Sequence, residues 1–216
     1  MLNISHIREN SFVDGPGQRV VLFVQGCSIG CPGCQNRHLW PAAGGALVDE
    51  EALAGELVRL AEAAGHKNIT ISGGEPFEQP EGMAKLTRLL KKAGAHIIIY
   101  SGYTFEDLVS GVNRNWIWNN AILSYCNVLV DGPFKAGMDD NRVTWRGSRN
   151  QTVIDLAAYY STRQIKTIDW DETLQITPAG QVVLPVGMTA EFAEIGTVQA
   201  SRRCGETTRN NRKETR

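Results

Sequence analysis

The chain has 216 residues, 42% of them hydrophobic, and its 22 basic and 23 acidic residues nearly cancel. This balance gives no global signature of nucleic-acid binding, and the length suits one packed domain with an appendage. The first residues lack an apolar segment with a basic flank, and no apolar run approaches the roughly 18 residues of a membrane span. We therefore expect a cytoplasmic protein without a membrane or nucleic-acid partner.

Short apolar runs alternate with amphipathic stretches from residue 19 to residue 131. In chain order, the pattern predicts a strand over Arg19 to Gln25, a helix over Asp49 to Ala64, a strand over Asn68 to Ser72, a helix over Pro80 to Ala93, a strand over His96 to Ser101, a short helix over Phe105 to Val109 and a strand over Asn127 to Asp131. Buried strands that are joined by helical crossovers form parallel sheets. The predicted fold class is therefore α/β with a parallel sheet.

Three cysteines, Cys27, Cys31 and Cys34, follow the first predicted strand. The spacing C-x3-C-x2-C supplies three thiolates, whereas a closed structural metal site uses four ligands. A cubane iron–sulfur cluster that is held by three cysteines has one iron free to bind a substrate or cofactor. The triplet thus indicates a reactive centre, and the alternative is a zinc site that is completed by a remote cysteine or histidine.

Other motifs also lie at the ends of predicted strands. Gly73 and Gly74 follow one strand, and a backbone without side chains there lets a ligand approach closely, with Glu75 as a further acceptor. Asp131 ends another strand, where it could hold a cation or a ligand hydroxyl or could simply be a solvated carboxylate. Because sites in parallel sheets form at the C-terminal ends of the strands, we expect one shared active site.

The composition changes after residue 155. We predict a core over residues 1–155, a small β appendage over residues 156–200, and a polar basic tail over residues 201–216 that is disordered. Within the appendage, Thr173 to Leu184 is typical of two strands around a Pro-Ala-Gly turn. The tail has six basic residues against two acidic ones.

The ordered motifs of the chain resemble those of a known family. They are DGPG (residues 14–17), GCSIGCPGCQN (26–36), SGGEP (72–76), SGY (101–103), NVLVDGPF (127–134) and WRGSRNQ (145–151). The set resembles the activating proteins of anaerobic ribonucleoside-triphosphate reductase, which are radical S-adenosylmethionine (SAM) enzymes, over about residues 1–155. The cysteine triplet and GGEP resemble motifs that are shared across the radical SAM superfamily. WRGSRNQ and NVLVDG resemble motifs of this branch of the glycyl-radical-enzyme activases.

The resemblance implies a partial (βα) barrel of the radical SAM type and one 4Fe-4S cluster on Cys27, Cys31 and Cys34, with SAM on the fourth iron. Members of the family cleave SAM reductively to methionine and a 5′-deoxyadenosyl radical, which takes a hydrogen from a glycine of the large reductase subunit. A flavodoxin or ferredoxin is the implied electron donor. From motifs and resemblance together, the predicted cofactor-binding residues are Gly33, Cys34, Gln35, Gly73, Gly74, Glu75 and Asp131.

Two other functions stay open on the sequence alone. A radical SAM enzyme that modifies a small molecule or peptide is favoured if the segment after residue 155 closes the open side of the sheet. A non-catalytic iron–sulfur or zinc module would bind metal without cleaving SAM. The chain also continues past WRGSRNQ, soon after which members of the family usually end.

Overall fold

The computed structural model describes residues 1–139 and 144–170, together with two short strands at residues 175–176 and 182–183. The chain divides into two compact units, Met1–Glu172 and Thr173–Arg216. All of the features of the candidate site described below belong to the first unit.

The first unit is built on one seven-stranded sheet. Its strands are β1 (Leu2–Ser11), β2 (Arg19–Val24), β3 (Ala46–Val48), β4 (Asn68–Gly73), β5 (His96–Tyr100), β6 (Val128–Asp131) and β7 (Thr152–Asp155). Their spatial order is β3-β1-β2-β4-β5-β6-β7. The four strands β2, β4, β5 and β6 run parallel. Toward one edge β1 pairs antiparallel with β2 and β3 pairs antiparallel with β1, and at the other edge β7 pairs antiparallel with β6. The fold is thus mixed α/β, and the predicted parallel pairing applies to its centre.

Helices connect the parallel strands, and a further helix follows β7. They are α1 (Glu50–Ala63), α2 (Pro80–Lys92), α3 (Phe105–Val109), α4 (Trp116–Tyr125) and α5 (Leu156–Thr162). The start of α1 is fixed by Asp49, whose carboxylate accepts the backbone N–H groups of Glu51 (2.9 Å) and Ala52 (3.1 Å). Among the residues that the structure describes, no helix combines the length and apolar character that a membrane crossing requires.

All five helices lie on one face of the sheet. A single buried cluster includes Leu53, Leu86, Leu108, Ile122 and Leu156 from the helices and Val20, Ile71, Ile97 and Leu129 from the parallel strands. The opposite face carries two smaller clusters, one around Val21 and Phe23 and one around Ile98 and Trp170. Because the crossovers all return on the same face, the other face is left open toward the carboxyl ends of the strands.

Arg19 begins β2 on this second face and is fully buried. Its guanidinium donates to the hydroxyl of Thr70 (2.6 Å) and to the carbonyl of Ile69 (2.7 Å). Burial lowers the pKa of Arg19 to about 9. The Thr70 hydroxyl donates in turn to the carbonyl of Asp14 (2.8 Å), so the DGPG turn is fastened to the beginning of β4.

The first unit extends past residue 155, the predicted end of the core. Helix α5 follows β7 directly, and its Leu156 belongs to the main core cluster. In the second unit, the short strands β8 (Gln175–Ile176) and β9 (Val182–Val183) pair antiparallel, as expected for the segment Thr173 to Leu184. The predicted tail over residues 201–216 lies outside the described residues.

Candidate functional site

One cavity of about 190 Å³ lies at the carboxyl ends of the parallel strands. It is lined by seven of the predicted site residues: Cys27, Cys31, Cys34, Gln35, Gly73, Gly74 and Glu75. The lining of the cavity does not include Gly33 or Asp131. The structure therefore brings the cysteine triplet and the GGEP turn into one site.

The segment of residues 27–40, which we call the cysteine loop, follows β2 and is closed at its base by backbone hydrogen bonds. The N–H of Gly26 donates to the carbonyl of Leu39 (2.8 Å), and the N–H of Cys27 donates to that of Trp40 (3.0 Å). Inside the loop, the N–H of Cys34 donates to the carbonyl of Cys31 (3.1 Å). Backbone hydrogen bonds thus hold the base of the loop and the turn between Cys31 and Cys34.

The three thiols of the loop are free and half-buried. Burial is the main cause that raises the pKa of Cys27, and hydrogen bonds from the backbone of Ile29 and Gly30 act against it. The Sγ of Cys34 accepts the N–H of Asn36 (3.3 Å). Backbone donors therefore already point at two of the sulfur atoms, as suits thiolate ligands.

Glu78 fixes the beginning of the cysteine loop, a role that no sequence pattern indicates. Its carboxylate accepts the backbone N–H of Ser28 (2.9 Å) and the hydroxyl of Ser28 (2.6 Å). The hydroxyl of Tyr103 also lies 3.4 Å from the same carboxylate. Because Ser28 directly follows Cys27, this contact sets the course of the chain at the first cysteine.

The two glycines of the GGEP turn pack against the backbone that leads into the cysteine loop. The N–H of Gly74 donates to the carbonyl of Val24 (2.8 Å), and the N–H of Glu75 donates to that of Gly26 (2.8 Å). A β-carbon at Gly74 would overlap the carbonyl oxygen of Gly26, and one at Gly73 would overlap the backbone of Val24. The glycines thus allow a close approach of two backbone segments, besides lining the cavity.

Glu75 is fully buried beside these glycines. Its carboxylate accepts the backbone N–H groups of Phe77 (3.0 Å) and Gly102 (2.8 Å) and the hydroxyl of Ser101 (3.0 Å). Burial raises the pKa of Glu75 to about 7, and these three donors act against that shift. A carboxylate has about four lone-pair positions, so one acceptor position remains for a donor in the cavity.

Gly33 lies on the outer side of the cysteine loop. A β-carbon there would lie 3.1 Å from the ring of Phe134 and 3.2 Å from the β-carbon of Ala136, and its φ of +82° favours glycine. A side chain at this position would have to displace Phe134 or Ala136 in the segment that follows β6. Glycine is thus favoured by its φ and by the contact between the loop and Phe134, while the neighbouring Cys34 and Gln35 line the cavity.

Asp131 is buried at the end of β6 and makes its contacts with the backbone. Its Oδ2 accepts the N–H of Phe105 (2.7 Å) at the start of α3, and its Oδ1 accepts the N–H of Thr152 (3.1 Å) in β7. It is not the solvated strand-end carboxylate that the sequence suggested as the alternative. Since Asp131 does not line the cavity and these hydrogen bonds join α3 and β7, this position gives no support to a role in cofactor binding.

The WRGSRNQ segment contributes two lining residues that the sequence analysis did not assign to the site, Gly147 and Gln151. The Gln151 side chain accepts the N–H of Gly147 (2.7 Å) and donates to the carbonyl of Gly132 (2.9 Å). It thereby fastens the segment to the turn that follows β6. The motif marked the family, but nothing in its composition indicated that this glutamine would border the cavity.

A larger groove of about 570 Å³ adjoins the cavity. The two share the lining residues Gln35, Ser72, Tyr100 and Gly147. Phe12 and Val13, which are 53% and 71% exposed, line the outer part of the groove together with Trp145. The cavity is therefore open to a ligand that reaches it along this groove.

The donor set of the cavity fits an iron–sulfur cluster. Within the described residues, no group of three or more His, Cys, Asp and Glu side chains could hold a single metal ion. The three thiols instead border a common space, and soft thiolates are the ligands that iron–sulfur clusters use. A fourth described cysteine, Cys126, is buried in the core against the helices, so it does not complete the set.

Comparison with protein families and curated proteins agrees with this donor set. Residues 13–154 match the family described as "4Fe-4S single cluster domain". Three similar proteins are all named anaerobic ribonucleoside-triphosphate reductase-activating protein. The one from Enterobacteria phage T4 is 33% identical over 69% of this chain and 92% of its own length, that from Pasteurella multocida 30% over 73% and 100%, and that from Escherichia coli K12 31% over 65% and 90%.

Among solved structures, QueE from Escherichia coli superposes with a TM-score of 0.38 and 21% identity. The match covers 48% of this chain and 53% of that one. A likeness this weak carries no statement about fold or function.

Proposed function

The chain belongs to the family of anaerobic ribonucleoside-triphosphate reductase-activating proteins, and from this premise we propose that it is a radical SAM activase. In this proposal it cleaves SAM reductively at a 4Fe-4S cluster and generates a glycyl radical on a large partner enzyme, an anaerobic ribonucleoside-triphosphate reductase. The observation that carries the proposal is the single cavity that Cys27, Cys31 and Cys34 share with the GGEP turn.

The three thiols would hold the cluster, and the absence of a fourth thiol from the described cavity leaves one iron for SAM. When bound, the cluster supplies one electron to the SAM sulfonium, which gives methionine and the 5′-deoxyadenosyl radical. The chain itself fixes the cysteines through the backbone closure at Gly26 and Cys27 and through the contact between Glu78 and Ser28. These fixed positions restrict where the ligand can lie.

The residues opposite the thiols fit the methionine end of SAM. The Glu75 carboxylate has one acceptor position left, and the backbone of Gly73 and Gly74 lies open to the cavity. A cationic amino group at this place would favour the ionised form of Glu75, which burial alone disfavours. We assign to this turn the recognition of the amino group.

The groove beside the cavity fits the segment of the partner that bears the glycine. The transferred hydrogen must come from a group that lies next to the bound SAM, and the groove joins the cavity at the lining residues that the two share. The exposed Phe12 and Val13 offer an apolar rim for such a loop. We also propose that the sheet curves as a partial barrel around this opening, since helices on one face alone are typical of barrel winding.

Anaerobic reconstitution tests the proposal. The protein is loaded with iron and sulfide, reduced with dithionite and given SAM, and 5′-deoxyadenosine is measured by mass spectrometry. The large reductase subunit is then added, and the glycyl radical is measured by electron paramagnetic resonance. Both signals are expected, and alanine at Cys27, Cys31 or Cys34 should remove the cluster and both signals together.

Two outcomes would contradict the proposal. If an intact, reduced cluster forms no 5′-deoxyadenosine even with the reductase subunit present, the protein is an electron-transfer or structural metal module. If 5′-deoxyadenosine forms but the reductase subunit acquires no radical, the substrate is a different protein, a peptide or a small molecule.

A further inference from the structure

Three segments that border the cysteine cavity carry cations and no acidic residue. They are the cysteine loop (residues 27–40), residues 132–138 and residues 144–151. Their cations, which we call the basic rim, are Arg37, Lys135, Arg146 and Arg149. Since the whole chain has 22 basic and 23 acidic residues, the rim is a local excess of positive charge.

Direct contacts join these three segments into one surface. Gly33 of the cysteine loop packs against the ring of Phe134. The N–H of Lys135 then donates to the hydroxyl of Ser148 (3.1 Å), which connects the second segment to the third. The cations of the rim therefore lie around one site although they are distant in sequence.

Two cations of the rim are accessible, and they belong to segments that line the same cavity as the thiols. Arg37 and Lys135 are exposed, and the Arg37 guanidinium lies 5.8 Å from the ring centre of Trp40, which lines the cavity. Among the described carboxylates beside these segments, Asp139 accepts the N–H of Gly137 (2.8 Å), Glu78 binds Ser28 at the start of the cysteine loop, and Glu75 is buried. The charges of Arg37 and Lys135 are thus presented to solvent.

The proposed reaction brings two proteins to the site, and each must come close to a different part of it. A hydrogen donor must touch the bound SAM, and the groove past Phe12 and Val13 provides that contact. An electron donor needs only to come close to the thiols, and transfer slows steeply with distance. Pro32 and Gly33, which separate Cys31 from Cys34 in the chain, are exposed, whereas the thiols are half-buried. A carrier that contacts this part of the loop therefore comes close to the thiols.

We propose that the basic rim is the docking surface for an acidic one-electron carrier protein. The proposal rests on the proposed function, because that reaction consumes one electron for each SAM cleaved. In the encounter the carrier is oxidised by one electron and the cluster is reduced by the same electron. Opposite charges would speed the encounter more than they would tighten the complex.

The test separates the carrier from a chemical reductant. The charge-reversed pair R37E and K135E is compared with wild type and with the matched control pair R88E and K92E, whose parent residues lie exposed on the outer helix α2. Neither Arg37 nor Lys135 lines the cavity or the groove. Cluster reduction by flavodoxin hydroquinone, which is acidic, is followed by stopped-flow absorbance, and dithionite-driven formation of 5′-deoxyadenosine is measured in parallel.

We expect reduction of the R37E and K135E pair by flavodoxin to be slower by about tenfold or more at low salt, and the wild-type rate to fall as salt rises. The control pair should keep the wild-type rate, and all proteins should keep the cluster absorbance and the dithionite-driven product. An unchanged flavodoxin rate would overturn the proposal. So would normal flavodoxin reduction with loss of the dithionite-driven glycyl radical, because the rim would then bind the reductase. Loss of dithionite-driven 5′-deoxyadenosine in wild type would instead refute the proposed function.

Discussion

Gly74 shows at the scale of single residues how packing and ligand binding can depend on the same atom. From the sequence, a β-branched residue at Gly74 is expected to obstruct SAM and leave the cluster in place. In the structure the added β-carbon would overlap the carbonyl oxygen of Gly26, which directly precedes Cys27. We therefore predict that Gly74→Val loses bound iron as well as SAM affinity, measured by iron content and by the cluster absorbance.

Gly55 provides the matched control for this substitution. It lies within α1, and a β-carbon there would meet no atom within 4 Å. Gly55→Ala should keep the cluster and raise the free energy of unfolding by about 0.5–1 kcal/mol, because alanine favours the helix. Full iron content in Gly74→Val would show that the turn can move away from Gly26.

Glu75 gives the protein a pH dependence whose sign follows from its burial. The pKa of its carboxyl is raised from 4.5 to about 7 in the folded chain, so the folded state binds the proton more tightly than the unfolded state. The stabilisation from this proton is complete below about pH 4.5 and is lost as the pH rises through about 7.

The measurement compares wild type with Glu75→Gln, both without the cluster, by denaturant unfolding between about pH 4 and 8. Relative to the glutamine variant, wild type should lose about 2–3 kcal/mol of unfolding free energy over this range. The subtraction cancels other titrating groups, such as the half-buried His96, whose pKa burial lowers to about 4. A difference that stays constant with pH would show that Glu75 is ionised throughout.

At the scale of elements, Asp131 joins α3 and β7 to the end of β6. Replacing it by alanine leaves the N–H groups of Phe105 and Thr152 without their acceptor. We predict a loss of about 2–4 kcal/mol in unfolding free energy, since each buried unpaired donor costs about 1–3 kcal/mol. The control is Asp107→Ala in the exposed capping box of α3, which should cost about 1 kcal/mol.

The same pair of variants tests the predicted role of Asp131 in the site. SAM affinity, measured by equilibrium dialysis on folded, cluster-loaded protein, should match wild type in both variants. A loss of affinity in Asp131→Ala at unchanged stability would instead assign the carboxylate to the cofactor.

Sequence patterns predict the helices and strands whose residues show a clear apolar periodicity, a continuous apolar run or a capping residue. The helix α1 has an acidic cap and apolar residues at helical spacing, and β2, β4, β5 and β6 have short apolar runs. Strand β1 was missed because much of its length is exposed at the edge region, where LNISHIRENS shows no continuous apolar run. Helix α4 was missed because Trp116 and Trp118 are partly exposed and blur the apolar face.

The residues of the site divide in the same way. Cysteine spacing alone predicted Cys27, Cys31 and Cys34, and the structure places all three at one cavity. Glu78 and Gln151 could not be predicted, because each acts through a contact with a segment that lies elsewhere in the sequence. Such contacts depend on the packed fold, whereas the spacing of the three cysteines can be read from one short stretch of sequence.

At the scale of the whole molecule, the cavity, the groove and the basic rim all belong to the first compact unit. A chain that stops at Glu172 should therefore keep its cluster and form 5′-deoxyadenosine at a rate within about twofold of the full chain. The measurement is the dithionite-driven assay on both chains, with circular dichroism to check folding. Loss of the cluster from a folded shortened chain would show that the second unit supports the site.

The hydrogen bonds that close the cysteine loop determine what happens to the protein when oxygen destroys its cluster. Many small metal sites take shape only when the metal arrives, so losing the metal unfolds them. Here the backbone hydrogen bonds of Gly26 to Leu39 and of Cys27 to Trp40, together with the contact between Glu78 and Ser28, hold the loop through groups that bind no metal. A molecule whose cluster has been destroyed by air should therefore keep the conformation of its cysteine loop and bind a new cluster, so that one chain would hold several clusters in succession.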